Sequence, residues 1–217
     1  MKKLQISLES IAQMYSTGLS CQKIADQLKC SESYINKRLK ELNIVKRSNS
    51  TYRKRKFDDH FFDNINTEKK AYWLGFMYAD GCVQHKKTGQ KLISLAVKDK
   101  EVIDKFIIDI GGTFVTKTYK DVHVIHLTST IMFNALVKHG CIPRKSLVLT
   151  FPALDASLIS HFIRGYFDGD GSINIPKKRP NTRTAEICSS SKEFLLQVKN
   201  TLENLGIKCP IFREKHT

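Results

Sequence analysis

The sequence has few acidic residues for its length and no long apolar run. Against 36 lysines and arginines it has only 21 aspartates and glutamates, which leaves a formal charge of +15 over 217 residues. A charge of that size attracts polyanions, of which nucleic acid is the commonest. No stretch approaches membrane-spanning length, and the opening MKKLQISLES lacks the apolar run of a signal peptide. We therefore expect a soluble, intracellular protein, cytoplasmic or organellar, that is located with DNA.

The cysteines and histidines form no pattern typical of a metal site. The six cysteines include no CxxC pair, so they indicate reduced, partly buried thiols of an intracellular protein. His123 and His126 lie three residues apart on a predicted strand and therefore point to opposite faces. Neither residue type predicts a metal centre here.

Residues 1–45 predict three short helices with polar breaks between them. Ser20 and Ser31 are suited to cap the second and third helices, and the connection between these helices, KCS, is as short as in a helix-turn-helix unit. The segment GLSCQKIADQLKCSESYINKRLKEL resembles the helix-turn-helix of many bacterial and phage DNA-binding proteins. In those proteins the third helix enters the major groove, and the resemblance implies DNA contacts by Ser31, Ser33, Asn36 and Lys37. The alternative is a three-helix packing module without DNA contact.

A run of positive charge follows, in the stretch VKRSNSTYRKRKF (45–57). No acid opposes its lysines and arginines, and because like charges repel, such a run stays extended. We therefore assign residues 46–60 to a basic linker along the phosphate backbone of DNA, with contacts from Arg53, Lys54 and Arg55. Solvated surface and a nuclear-import signal are the alternatives that composition leaves open.

From residue 61 the chain alternates strands and helices and then repeats itself. KLISLAV (91–97) and VHVIHL (122–127) alternate as half-buried strands do, whereas KEVIDKFIIDIGG (100–112) has apolar residues at helical spacing and stops at glycine. A second series of helix, two strands and helix follows. The predicted fold class is α+β, with a small all-α domain (1–45), a first repeat (61–150) and a second repeat (151–217) that is C-terminally short.

Two nine-residue stretches, WLGFMYADG (73–81) and IRGYFDGDG (163–171), match each other at an interval of ninety residues. Each has two small residues four apart, which fall on one face of a helix. Glycine inside a helix costs about 1 kcal/mol relative to alanine, and this cost is tolerated where two backbones must come nearly into contact. We therefore predict that the two motif helices pack together through Gly75, Ala79, Gly165 and Gly169.

Each motif ends in an aspartate followed by glycine. Asp80 and Asp170 fall at the C-terminal ends of the helices, where the helix dipole disfavours a carboxylate. If the helices pack in parallel, both carboxylates meet at one end, and a cation between them relieves their repulsion. Hard oxygen ligands select Mg²⁺ (or Mn²⁺), and Mg²⁺ binds through one or two carboxylates plus substrate phosphates. The alternative is that each Asp-Gly pair only opens a hairpin.

At these residues the sequence resembles the LAGLIDADG homing endonucleases, and the resemblance runs from about residue 61 to the end. It implies a duplicated α/β saddle whose curved sheets lie in the major groove, a monomer that acts as a pseudo-dimer, and metal-assisted phosphodiester hydrolysis by Asp80 and Asp170. It also implies a catalytic lysine, which the stretch PRKS supplies as Lys145. The sixth motif position departs from the pattern, with Tyr78 in the first copy and Asp168 in the second. The basic loops after the motifs are implied to contact DNA through Lys86, Lys87, Lys91, Lys177, Lys178, Arg179 and Arg183.

The sequence therefore favours a site-specific double-strand DNA endonuclease of the kind that initiates intron mobility. A DNA-binding regulator that has lost cleavage is one alternative, because a short second repeat exposes a strand edge. An RNA-splicing maturase is another, and the helix-turn-helix weighs against it because it favours duplex DNA. Double-stranded DNA is the expected partner, and no membrane partner is expected.

Overall fold

A computed structural model describes residues 7–45, 56–114, 116–175 and 183–209 of the chain. It divides the chain into two compact units, residues 1–54 and 55–217. Six of the residues that the sequence assigns to DNA contacts lie outside the described ranges: Arg53, Lys54, Arg55, Lys177, Lys178 and Arg179.

The first unit, over residues 7–45, has three α-helices around a small apolar core. They are α1 (Leu8–Ser16), α2 (Cys21–Gln27) and α3 (Glu32–Glu41). Ser20 and Ser31 cap α2 and α3 by accepting hydrogen bonds from the backbone N–H groups of Lys23 and Tyr34, as the sequence predicts. Apolar side chains recur on one face of each helix and meet in the core, which includes Ile11, Ile24, Ile35 and Leu39.

The first half of the second unit places helices on one face of an antiparallel sheet. The sheet has the strand order β1-β2-β4-β3. Its elements, in chain order, are α4 (Glu68–Ala79), β1 (Gly81–His85), β2 (Lys91–Val97), α5 (Lys100–Asp109), β3 (Lys117–Tyr119), β4 (Val122–Thr128) and α6 (Thr130–Lys138). A short 3₁₀ helix (Lys145–Leu147) follows α6.

The strand register gives this sheet one buried and one solvent-facing side. Val83 lies opposite Ile93, which lies opposite Leu127, and all three are buried. Because successive side chains on a strand point to opposite faces, the residues between them face away from the core. The alternation that predicted half-buried strands at 91–97 and 122–127 is therefore present in the sheet.

The second half repeats the order of helix, two strands and helix. Its elements are α7 (Ala156–Asp170), β5 (Gly171–Asn174), β6 (Thr184–Ile187) and α8 (Lys192–Asn204). In the described residues β5 and β6 form a two-stranded antiparallel sheet, and Ile173 in β5 remains 64% exposed. Ser191 caps α8 by accepting from the N–H of Phe194. The second half therefore carries a smaller sheet than the first within the described part of the chain.

The two halves share one apolar core. It joins Trp73 and Phe76 of α4 with Phe162 and Tyr166 of α7 and with Phe194 of α8. Mutual burial of the two repeats therefore stabilises the second unit, in addition to the packing within each repeat.

Residues 56–60, which the sequence assigns to the basic linker, lie on the second unit instead. The ring of Phe57 packs edge-on against Phe114 at a centroid distance of 6.2 Å, and the N–H of Asp58 donates to the carbonyl of Ile110 at 2.7 Å. The charge pattern predicts an extended linker here, whereas Phe57 packs against the core of the second unit. In the described ranges no helix is both long and apolar enough to cross a membrane.

Candidate active site

Helices α4 and α7 cross with their backbones in direct contact at two glycines. A Cβ atom on Gly75 would collide with the carbonyl oxygen of Phe162 and lie 2.8 Å from the backbone nitrogen of Tyr166. A Cβ atom on Gly165 would collide with the carbonyl oxygen of Tyr72. Such distances exclude any side chain larger than hydrogen, and they account for two helix-weakening glycines at these positions.

The same contact continues toward the C-terminal ends of both helices. A Cβ atom on Gly169 would collide with the Cβ of Ala79 and lie 3.2 Å from the Oδ2 of Asp80. Contacts therefore advance in the same direction along the two chains, from Gly75 with Phe162 to Ala79 with Gly169, so the helices run parallel. The four small residues predicted from the spacing lie along this line of contact.

Parallel packing brings the two motif aspartates to one end of the helix pair. Asp80 follows the last residue of α4, and Asp170 is the last residue of α7. Both residues are exposed to solvent, but surrounding atoms still desolvate part of the Asp80 carboxyl group. Each carboxylate lies at the negative end of a helix dipole, so each of the two anions is in an environment that favours a cation.

The pKa of the Asp80 carboxyl group is raised in the folded protein. Burial by surrounding atoms raises the pKa of its carboxyl group, the charge of Asp170 raises it further, and the charge of Lys145 opposes both. Because the charge of Asp170 disfavours ionisation of Asp80, the two carboxylates interact electrostatically across the helix pair.

Lys145 anchors the C-terminal end of α4. Its Nζ donates to the carbonyl oxygens of Gly81 at 2.7 Å and Ala79 at 3.3 Å. The preceding residue, Arg144, adopts a left-handed conformation with φ of 58° and turns the chain into the 3₁₀ helix that begins at Lys145. An ammonium group at these carbonyls compensates the helix dipole, and it lies close enough to Asp80 to affect its pKa.

The two carboxylates fit a hard divalent cation whose coordination sphere is completed by other ligands. In the ranges that the structure describes, no group of three or more histidine, cysteine, aspartate or glutamate side chains could hold a metal ion. Two carboxylates can supply only part of the coordination sphere of Mg²⁺, an ion that keeps several waters and accepts phosphate oxygens as further ligands. The site therefore suits a cation shared with a phosphodiester.

Two contacts beside the crossing were not predicted from the sequence, and both involve the sixth motif position. Tyr78 is buried and donates its hydroxyl hydrogen to the carbonyl of His139. Asp168 is exposed and accepts a hydrogen bond from the hydroxyl of Tyr72 at 2.9 Å, which ties α7 to α4. The guanidinium of Arg164 stacks over the Tyr72 ring at 5.1 Å. The separation of 96 residues between Tyr72 and Asp168 leaves no local signal for the pairing.

The lysines predicted to contact DNA from the β1–β2 loop have different surroundings. Lys86 and Lys87 are exposed in the turn. Lys91 is half-buried, donates to the Oδ1 of Asn134 at 2.6 Å and lies over the ring of Phe133. Its ammonium group already makes one hydrogen bond within the protein, because a β2 lysine reaches the neighbouring helix α6. Arg183, just before β6, is exposed.

In the first unit, the predicted DNA contacts lie at the N-terminal part of α3. Ser31 is the cap of this helix, and its hydroxyl oxygen accepts from the N–H of Tyr34 at 3.2 Å. Ser33 and Lys37 are exposed, and Asn36 is half-buried. This arrangement leaves polar side chains at the start of α3 facing solvent.

The two motif helices lie in the two segments of the chain that match a known protein family. Residues 67–107 and 157–217 match the family described as the LAGLIDADG-like domain. The chain belongs to the LAGLIDADG family. The α+β class expected from the sequence is confirmed, and one segment of the LAGLIDADG match contains α4 whereas the other contains α7.

Curated relatives come from Methanocaldococcus jannaschii. An uncharacterized protein is 26% identical over 168 residues, which are 70% of this chain and 60% of the relative. A probable translation initiation factor IF-2 is 25% identical over 154 residues, which are 66% of this chain and 12% of that protein. The chain thus spans about three fifths of the first relative and a small part of the second.

Solved structures with a similar backbone are LAGLIDADG meganucleases. I-AabMI bound to uncleaved DNA aligns over 66% of this chain and 74% of its own, with 10% identity and a TM-score of 0.41. I-SmaMI bound to uncleaveable DNA aligns over 67% and 75%, with 13% identity and a TM-score of 0.40.

Proposed function

We propose that this chain is a site-specific double-strand DNA endonuclease that hydrolyses phosphodiesters with a divalent metal held by Asp80 and Asp170. The observation that carries the proposal is the crossing of α4 and α7 at Gly75 and Gly165. Two parallel helices in backbone contact bring two carboxylates to one end, although each carboxylate is unfavourable there without a cation.

The roles of the protein groups follow from their positions. When bound, Mg²⁺ or Mn²⁺ would supply Lewis-acid polarisation of the phosphate and activation of water. Asp80 and Asp170 hold the cation, and the rigid crossing fixes the separation of their carboxylates. Lys145 holds the end of α4 through the carbonyls of Ala79 and Gly81 and brings a positive charge beside Asp80, where a phosphate binds.

Binding to duplex DNA follows from charge and from the helix-turn-helix unit. The formal charge of +15 favours a polyanion, and exposed Lys86, Lys87 and Arg183 supply phosphate contacts around the second unit. Helix α3 of the first unit adds contacts through Ser33 and Lys37 in the major groove. One chain carries both aspartates, so a monomer suffices as a pseudo-dimer.

The test is a selection for cleaved sites from a random duplex library with Mg²⁺ present. The wild-type chain is expected to yield one enriched site with breaks in both strands. Asp170→Asn should lose cleavage by about 10²-fold or more, the scale of losing one group that stabilises transition-state charge, while retaining salt-sensitive binding. The matched control is Asp168→Asn, which removes the same charge from the same helix end but should still cut.

Equal cutting by Asp170→Asn and wild type would reject the metal role of Asp170. Specific binding by the wild-type chain without any cutting would instead support the alternative of a DNA-binding regulator. The smaller described sheet of the second half, with Ile173 exposed, is the observation that favours this alternative.

A further inference from the structure

The solvent-facing side of the four-stranded sheet is almost uncharged. Its side chains form cross-strand rows, because residues in register share a face. The row that lies farthest from Asp80 consists of Gln84, Leu92 and Thr128, and the next consists of Cys82, Ser94 and His126. A third row has Ala96, Val124 and Lys117. Among these nine described residues there is one lysine, no arginine and no acid.

Positive charge is placed instead at one end of the strands. Lys86 and Lys87 lie in the turn between β1 and β2, beyond the Gln84 row. At the opposite end the charges balance, because Asp99 and Asp121 follow Lys98 and Lys120 in the chain and Lys98 pairs with Asp121 at 3.4 Å. In a protein with a net charge of +15, this distribution suits phosphates at the β1–β2 turn and base edges across the middle of the sheet.

The row chemistry distinguishes among bases. Guanine is read mainly by arginine or lysine, adenine by the amide of glutamine or asparagine, and the thymine methyl group by apolar side chains. Leu92, Ala96 and Val124 present apolar atoms. The amide nitrogen of Gln84 lies 3.4 Å from the sulfur of Cys82, which is a weak acceptor. A base edge that binds this amide therefore displaces only a weak hydrogen bond.

We propose that this face reads an A·T-rich half-site in the major groove, with Gln84 selecting adenine. The inference rests on the proposed function, since it takes duplex DNA as the occupant of the sheet. A·T pairs present the methyl groups and the adenine edge that the three rows match.

The test is a binding selection from a random duplex library with the full chain and EDTA, so that recovery does not depend on cleavage. The recovered sites are expected to contain one A·T-rich half. Gln84→Ala should reduce preference for adenine at one position of that half by about 5- to 150-fold, the discrimination of a bidentate contact. Lys87→Ala is the control, and it should weaken all sites equally and lower the salt slope by about one unit.

Two results would overturn the assignment, and they differ in what else they reject. Specific sites whose Gln84-dependent half is rich in guanine would reject the A·T half-site and leave the proposed function standing. Recovery of no specific duplex at all would reject both the proposed function and the half-site.

Discussion

The ionised carboxyl group of Asp80 is unfavourable in the folded protein. Its pKa is raised by burial and by the charge of Asp170, against the opposing charge of Lys145. The folded state therefore holds this proton more tightly than the unfolded state, so stability falls as pH rises from the ordinary aspartate pKa through the raised pKa, and stays lower above it.

We expect Asp80→Asn to remove this loss of stability. At neutral pH its Tm should exceed that of the wild type, whereas below the ordinary aspartate pKa of about 3.9 the two Tm values should converge. Differential scanning calorimetry across this pH range measures the effect without Mg²⁺. Equal Tm values at neutral pH would show that neither burial nor the charge of Asp170 makes the ionised Asp80 unfavourable.

Asp109 is a carboxylate in the opposite situation. Its side chain is only 7% exposed and pairs with Lys69 at 2.9 Å and Lys105 at 2.6 Å, and the indole Nε1 of Trp73 donates to it at 2.9 Å. Burial alone would raise the pKa of Asp109, but the hydrogen bonds outweigh burial and lower it. The stability it contributes is present above the ordinary aspartate pKa and is lost as pH falls through the lowered pKa.

We expect Asp109→Asn to destabilise the protein by about 1.5–3 kcal/mol at neutral pH, the scale of hydrogen bonds to a charged group. Urea unfolding measures this cost, which should shrink in acid. The control in the same helix is Asp104→Asn. Asp104 pairs with Lys100 in an exposed position, where such pairs contribute about 1 kcal/mol or less. A larger destabilisation by Asp104→Asn than by Asp109→Asn would contradict this assignment.

At the scale of elements, the pair α4–α7 depends on glycine at the crossing. In Gly165→Ala the new methyl group meets the carbonyl oxygen of Tyr72, which belongs to the backbone and cannot rotate away. Better helix propensity would stabilise the variant by about 1 kcal/mol. We expect overpacking to dominate, with a net destabilisation of about 3 kcal/mol in urea unfolding.

The control is Ser160→Ala, on the exposed face of α7. Because it lies away from the crossing, its effect should stay within about 0.5 kcal/mol of zero. If Gly165→Ala were as stable as this control, the helices would have room to separate, and the carboxylates would not be held at a fixed distance.

The local part of these elements could be predicted from the sequence. Serine caps such as Ser20 and Ser31 and alternating strands such as 91–97 depend on neighbouring residues, and these predictions are confirmed. The spacing of Gly75 and Ala79 indicated a close helix partner because glycine has few other uses inside a helix.

Pairings that join distant segments could not be predicted in this way. Lys105 and Asp109 are four apart and visible as a helical pair, but Trp73 completes that cluster from 36 residues away. The sequence predicts that Lys91 contacts DNA from a basic loop, and it gives no sign of the partner Asn134, which lies 43 residues later. Such pairings depend on how helices pack on the sheet, which no local pattern records.

At the scale of the whole molecule, the two units have separate cores. The core of the first unit contains residues of α1, α2 and α3, and that of the second unit begins at Phe61. Each core therefore buries its apolar surface without residues from the other. The second unit also contains both aspartates and Lys145, so the proposed chemistry does not require the first unit.

We therefore expect a chain that starts at residue 55 to fold and keep the selected DNA site, but to bind it more weakly. A plot of the logarithm of the binding constant against the logarithm of salt concentration has a negative slope. Every phosphate that the first unit neutralises adds about 0.9 to the magnitude of this slope, so the shorter chain should show a shallower salt dependence. Fluorescence anisotropy across a KCl series compares this chain with the full protein, and circular dichroism checks that both are folded. An unchanged slope would mean that α3 binds no phosphates and that the first unit is a packing module. Failure of the shorter chain to fold would show instead that the second unit depends on the first for its stability.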